Sequence, residues 1–293
     1  MEGPLTGTRD ALLKLRRWSP SPVLRASLWL HALGAVTILA HWPLWPLVLA
    51  LLGGNHLLLT AGMHPRGAML GPNLRRLPPA GATRGRVVLT FDDGPHPDVT
   101  PRVLDILEAH GATASFFVIG RLAALHPALL REIIGRGHDV ENHTQRHSYA
   151  FACMGPWRQA REIREAQRAV ADACGRAPRF FRAPMGLRNP LLAPVLHLGG
   201  LSLVSWTRRG YDTRLSDRHR ILRRLTRNLA DGDILLLHDG SSALDAAGEP
   251  VVLAVLPELL ERIAAAGLSA SSLRLAIRAE PAGAASPAPA VRA

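Results

Sequence analysis

The sequence predicts an α/β domain of parallel strands, barrel-like in its layout, behind an N-terminal apolar helical hairpin. Three observations carry this. From residue 86 to residue 277, β-rich runs alternate with helical stretches about seven times in roughly 190 residues, the pattern of a parallel sheet covered by helices. Residues 27–61 contain no Asp, Glu, Lys or Arg. Asp92-Asp93, His143/His147, Arg182, Asp212 and His238 each fall at or just beyond the end of an expected strand, where such barrels place their chemistry.

The hairpin comes first. Its uncharged stretch is longer than a signal-peptide core or one straight span needs, and it divides at His41-Trp42-Pro43. Residues 24–40 and 44–61 are each close to the roughly 17–20 residues that cross a hydrocarbon core. Trp29, Trp42 and Trp45 suit interfacial positions. Cations flank both ends (Arg9, Lys14, Arg16, Arg17 and Arg25 before; Arg66, Arg75, Arg76, Arg84 and Arg86 after), and the turn between has none. Positive charge on both flanks places both ends, and the domain that follows, on the cytoplasmic side of a bacterial-type inner membrane. A single crossing would put the domain on the periplasmic side. A helical hairpin packed on a soluble domain is the competing reading. The expected organisation is a basic segment and membrane hairpin over residues 1–62, a Gly/Pro/Arg-rich linker over 63–84, the α/β domain over 85–278 and a disordered, Ala/Pro-rich tail over 279–293.

Within the domain, Val87–Phe91 is a β-branched run ending at Asp92-Asp93-Gly94-Pro95. Thr100 is the expected N-cap of a helix from Pro101 to Ala109. Ala114–Ile119, Asp139–His143, Phe180–Ala183, Leu203–Trp206, Ile234–His238 and Leu273–Ile277 are expected strands. Between them, Pro127–Arg136, Trp157–Ala173, Leu191–Leu198, Asp217–Leu229 and Val251–Ala266 are expected helices.

Composition excludes several classes of function. A hydrophobic fraction of 47% is incompatible with a disordered or fibrous chain. The formal charge of +12 comes almost wholly from arginine, Lys14 being the one lysine, and no long basic run interleaved with aromatics is present. That argues against nucleic acid as a partner. Cys153 and Cys174 cannot make a disulfide framework or a four-thiolate zinc site, and are expected as small packed hydrophobes.

An Asp-Asp pair alone is usually a turn feature, and two histidines four apart arise by chance among thirteen. Their convergence at one barrel mouth would mean more: one carboxylate and two imidazoles hold a divalent ion and leave positions open, as catalytic sites do. Among the other histidines, His138 is expected to be a buried structural imidazole and His96 a loop residue beside the site.

Thr90-Phe91-Asp92-Asp93-Gly94-Pro95 resembles the first motif of the polysaccharide deacetylases with NodB homology (carbohydrate esterase family 4), and His143-Thr144-Gln145-Arg146-His147 resembles the second. Arg182-Ala183-Pro184 resembles the third and Leu235-Leu236-Leu237-His238 the fifth. The fourth is degenerate. Trp206 and Asp212 are kept, but Arg209 and Thr213 stand where the family commonly has Asp and Trp. The resemblance covers about residues 85–278 and implies a distorted (β/α)7, TIM-like barrel of the NodB type. It further implies Asp92 as general base and Asp93, His143 and His147 as ligands of one divalent metal, zinc by default, with cobalt, nickel or manganese also fitting. His238 would be the acid, with its pKa raised by Asp212, and Arg182 would hold Asp92 ionised. The Met185 backbone N–H, after Pro184, would stabilise the oxyanion. Trp206 is expected as core or site wall. Leu235 and Leu237 are expected either to line the acyl pocket or to be ordinary barrel core.

The implied activity is metal-dependent hydrolysis of an N-acyl group, acetyl first, from an amino sugar of a polysaccharide or glycan. Two alternatives stand beside it: deformylation or deacetylation of a lipid-linked, undecaprenyl-type amino sugar, and an inactive carbohydrate-binding barrel. The last would predict loss of Asp92 or His238, and both are present. No obligate protein partner is expected.

Overall fold

The computed structural model describes residues 18–77 and 85–278. The N-terminal basic segment, part of the expected linker and the expected disordered tail therefore lie largely or wholly outside the described residues.

Helices α1 (Pro22–Ala40) and α2 (Trp45–Gly62) form the hairpin, joined by a 3-10 turn at Trp42–Leu44. They meet through small and polar residues. A Cβ at Gly34 would crowd the Val48 side chain at 2.8 Å, and the Asn55 amide donates to Ser27 Oγ at 2.9 Å. Their outer faces are open: Trp29 is 69% exposed and Leu39 87%. Both helices are long and apolar enough to cross a membrane. Beyond α2, residues 63–77 contain no helix but lie against the domain. Leu70 and Leu77 are buried, Leu74 pairs with Val204, and Arg188 donates to the Gly67 carbonyl at 2.6 Å.

The domain contains β1 (Arg86–Asp92), α3 (Thr100–Ala109), β2 (Ser115–Val118), α4 (Gly120–Leu125), α5 (Pro127–Gly135) and β3 (Asp139–Asn142). There follow α6 (Pro156–Cys174), β4 (Phe180–Phe181), α7 (Leu192–Gly199), β5 (Ser202–Leu203) and β6 (Arg208–Arg209). The last elements are α8 (Arg218–Thr226), β7 (Ile234–His238), α9 (Val251–Ala265), β8 (Ser269–Ser271) and α10 (Leu273–Arg278). The strand order is β5-β4-β3-β2-β1-β7-β6, every pairing is parallel, and β8 pairs with the start of β1. The expected barrel is thus a curled half-barrel of seven strands in one path.

Alternation along the central strands sorts the interior from the helix layer. Val87, Leu89 and Phe91 of β1 and Leu235 and Leu237 of β7 pack into the large core under the helices. Val88 and Ile234 face the barrel interior with Phe117 and Val204. The same parity sends Thr90, Asp92, Leu236 and His238 inward, and the register pairs Asp92 with His238 at the mouth.

Four sequence expectations are corrected. Leu273–Ile277 is helix, not strand. Its alternation of Leu, Arg, Leu, Ala and Ile matches a strand period, but its N-terminal amides are satisfied from neighbouring strands. Leu273 N–H donates to Ser115 Oγ at 2.8 Å and Arg274 N–H to Asp139 Oδ2 at 2.8 Å. The eighth strand is instead the polar Ser269–Ser271. The strand expected at Leu203–Trp206 shrinks to β5, and Arg208–Arg209 supplies a strand that its charge concealed. Thr100 is the first helical residue, not the cap. Its hydroxyl accepts from His96 N–H at 2.8 Å and donates to Asp239 at 2.6 Å. Cys153 is exposed rather than packed.

Candidate active site

The C-terminal ends of β1, β3 and β7 and the loops after β4 and β6 meet around a cavity of about 600 Å³. Its wall includes Asp92, Asp93, His143, His147, Met185, Trp206, Leu236 and His238. A somewhat larger cavity of about 680 Å³ lies between residues 70–74, α7 and β5, and its lining has no carboxylate. The chemistry belongs to the first.

Asp92 and Asp93 are adjacent but engaged differently. Asp92 sits on the strand, buried, and Arg182 Nη1 donates to its Oδ1 at 2.6 Å. The same guanidinium donates to Thr90 Oγ1 at 2.9 Å and to the Ser205 carbonyl at 2.9 Å, and lies 4.1 Å from the Phe117 ring centroid. Four contacts fix one buried cation, so its partner carboxylate is fixed too. At Asp93 the chain turns to φ 72°, which swings the carboxylate away from its neighbour's direction. Asp93 Oδ1 lies 3.3 Å from His143 Nε2 and 3.2 Å from His147 Nε2. Ser241 Oγ donates to its other oxygen.

The histidines are aimed by their backbone. His143 Nδ1 lies 2.8 Å from the Arg182 carbonyl oxygen, which can only accept, so Nδ1 carries the proton and Nε2 faces Asp93. His147 itself has φ 52° and Thr144 has φ 66°, with Thr144 Oγ1 accepting from His147 N–H at 3.0 Å. Left-handed backbone at non-glycine residues is uncommon and costs energy; here it gathers at Asp93, Thr144, His147 and Met185 (φ 56°).

Asp93, His143 and His147 bring three ligand atoms within 4.8 Å of one another. Asp93 Oδ1 is buried and has no hydrogen-bond donor. Burial alone would raise the Asp93 pKa, but the adjoining His143 and the charges of His238 and His147 hold it below the usual carboxylate range. Burial and the His143 charge lower the His147 pKa. An ionised oxygen without a donor, facing two imidazole nitrogens, is a set that a divalent cation fits.

Beside Asp92 at the mouth, His238 N–H donates to Asp212 Oδ2 at 2.7 Å, and Nδ1 lies 2.9 Å from Asp212 Oδ1. Burial opposes protonation of His238, but the charge and hydrogen bond of Asp212 outweigh it and the imidazole pKa is raised. The degenerate fourth motif therefore keeps its aspartate in contact with the histidine. Leu235 and Leu237 are not in the wall; both are core. Leu236, two residues before His238 and so on its face, takes their place. Pro184 and Arg182 are buried behind the wall.

Several residues at the site were missed from the sequence. Thr90 and Leu236 share a face with Asp92 and His238, so strand parity would have found them. Asp239 is buried beside the turn after Asp93, and burial pushes its carboxyl up to about 7. A Cβ at Gly94 would overlap that carboxylate, and one at Gly240 the Asp93 carbonyl, so both turns require glycine by close approach. Arg121, Arg146, Arg209 and Arg214 also line the cavity.

A sequence model of the polysaccharide deacetylases matches residues 80–204. The chitooligosaccharide deacetylase of Sinorhizobium fredii is 39% identical over 168 residues, 57% of this chain and 78% of that protein. The chain belongs to the polysaccharide deacetylase family. The peptidoglycan-N-acetylglucosamine deacetylase of Bacillus cereus is 33% identical over 176 residues, 59% of this chain and 81% of that one. A family 4 carbohydrate esterase from Streptomyces lividans, solved in complex with acetate, superposes with a TM-score of 0.57 at 31% identity, over 64% of this chain and 92% of that one. Polysaccharide deacetylases are metal-dependent hydrolases of amide C–N bonds, and this chain is an enzyme of that type.

Proposed function

We propose that the protein removes an N-acetyl group from an amino sugar in a glycan, with catalysis assigned to residues 85–278. The observation that carries this reading is the pairing, side by side at the mouth of one cavity, of Arg182-held Asp92 with Asp212-held His238 beside the Asp93, His143 and His147 cluster. Asp93, His143 and His147 would hold the ion, zinc by default. Bound there, the ion supplies Lewis-acid polarisation of the amide and acidifies water. Asp92, held in place by Arg182, takes the proton of the attacking water as the C–O bond forms. The Met185 N–H donates to the oxygen that gains charge. His238, protonated with help from Asp212, gives its proton to the nitrogen as the C–N bond breaks, releasing acetate and the free amine. Trp206 and Leu236 wall the acyl group. The test is amine release from N-acetylglucosamine oligomers by the full chain. Activity should disappear on chelation and return with a divalent ion; oligomers left unchanged under all metals would overturn the reading.

The open apolar faces of α1 and α2 support an integral anchor, with residues 63–84 leading to the domain, and favour a second substrate reading, an amino sugar carried on a membrane lipid. Charge on both flanks favours the cytoplasmic side of a bacterial inner membrane. The full chain should stay with membranes through a carbonate wash and need detergent for release. Release by carbonate alone would mean a hairpin that does not span.

A further inference from the structure

Trp206 and Arg209 form a common wall between the catalytic cavity and a second cavity of about 370 Å³. The second cavity is lined by five arginines, Arg66, Arg208, Arg209, Arg224 and Arg227, and by no carboxylate. Among the described residues only Arg208 of these has a carboxylate partner, Asp233 at 2.6 Å. Arg209 and Arg224 stack on Tyr211, at 5.0 and 5.1 Å from its ring centroid, and Arg209 Nε is buried without an acceptor. The Arg66 guanidinium donates to the Thr207 carbonyl and to no carboxylate among the described residues. Guanidinium groups gathered around one space repel each other unless an anion enters it. Their planar forks suit phosphate oxygens in particular.

The position of this cavity narrows the ligand. His64, Pro65 and Arg66 in its lining directly follow α2, which ends at Gly62. One side thus opens beside the end of an apolar helix and the other adjoins the catalytic wall. We infer that this arginine-lined cavity binds the phosphate or diphosphate that links an N-acylated sugar to an apolar chain held in the bilayer. The inference rests on the deacylase reading of the catalytic cavity and names its substrate class.

The test uses the full chain in detergent and three probes: a decyl phosphodiester of N-acetylglucosamine, the neutral decyl glycoside of the same sugar, and inorganic diphosphate. Wild type should favour the phosphodiester by about tenfold or more in kcat/KM. The double variant Arg66→Ala/Arg224→Ala should bring that ratio close to unity, and Arg66→Lys/Arg224→Lys should restore part of it. No preference in the wild type, or equal loss on both substrates in the variant, would overturn the inference. Inorganic diphosphate binding as tightly as the phosphodiester would assign the cavity to a soluble anion and overturn the lipid linkage. If neither glycoside releases amine, the deacylase reading has failed, and equilibrium dialysis of the phosphodiester judges the cavity separately. Binding that weakens about tenfold in the alanine variant would uphold the phosphate site; absence of binding, or binding that the variant leaves intact, would overturn it.

Discussion

Asp92→Asn should lower kcat by roughly 10²–10⁴-fold, the usual worth of a positioned general base, and leave metal content unchanged. Asp93→Asn should lose both metal and activity. The two carboxylates are neighbours in sequence, yet the φ of 72° at Asp93 separates them. Asp93 Oδ1 points at the two imidazole nitrogens, whereas Asp92 Oδ1 accepts from Arg182 at 2.6 Å. Asparagine at 92 keeps a carbonyl oxygen for Arg182 to donate to, so the guanidinium is not stranded. It retains Thr90 and Ser205 as acceptors as well. The variant should therefore fold, but the proton acceptor is gone and the buried Arg182 charge loses its counter-charge. Some loss of Tm is expected, since breaking a buried pair is costly. Metal analysis beside kcat decides the matter. Equal metal loss in both variants would mean that the carboxylates share the ion, Asp92 Oδ2 being 3.9 Å from His143 Nε2, and the separate assignment of a base would fall.

The parts of this site that were legible in the sequence are those whose geometry is local. Asp92-Asp93 ends one strand, His143 and His147 lie one short loop apart, and the motifs fix their order. Even Asp212 kept its contact with His238 although the residues around it differ from the family pattern. What the sequence concealed depends on partners far along the chain. Leu236 is the exception, a local signal overlooked: it shares the parity of His238, whereas Leu235 and Leu237 have the opposite one. Leu273–Ile277 alternates like a strand, and only the hydroxyl of Ser115 and carboxylate of Asp139 at its first amides make it a helix. Thr100 looks like a cap because Pro101 follows it, yet its hydroxyl is taken by Asp239 from the loop after β7. The arginines of the second cavity come from the segment after α2, from β6, and from α8 with its C-terminal flank. Scattered in sequence, they read only as net charge.

The pH profile of kcat/KM should be bell-shaped, and Asp212 should set its basic limb. His238 acts as an acid only while its imidazole carries a proton. Burial by itself would drive that proton off; the Asp212 charge and hydrogen bond, with smaller contributions from Asp92 and Asp93, raise the pKa instead. A raised pKa keeps the acid form to higher pH, so activity should fall as pH rises through the His238 pKa of the free enzyme. Asp212→Asn removes the charge and leaves burial opposed only by the smaller contributions of Asp92 and Asp93. The basic limb should then move to lower pH. The acidic limb, in which Asp212 and His238 have no part, should stay. His238→Ala should cost about 10²-fold or more in kcat and remove the basic limb altogether. A merely structural Asp212 predicts something else: its oxygens also accept from the His238 backbone N–H, so Asp212→Asn would lower Tm without moving either limb. Profiles taken at saturating metal for wild type and both variants separate the two accounts. A basic limb unmoved in Asp212→Asn would strip the aspartate of its electrostatic role, and one that persists in His238→Ala would require another group as the acid.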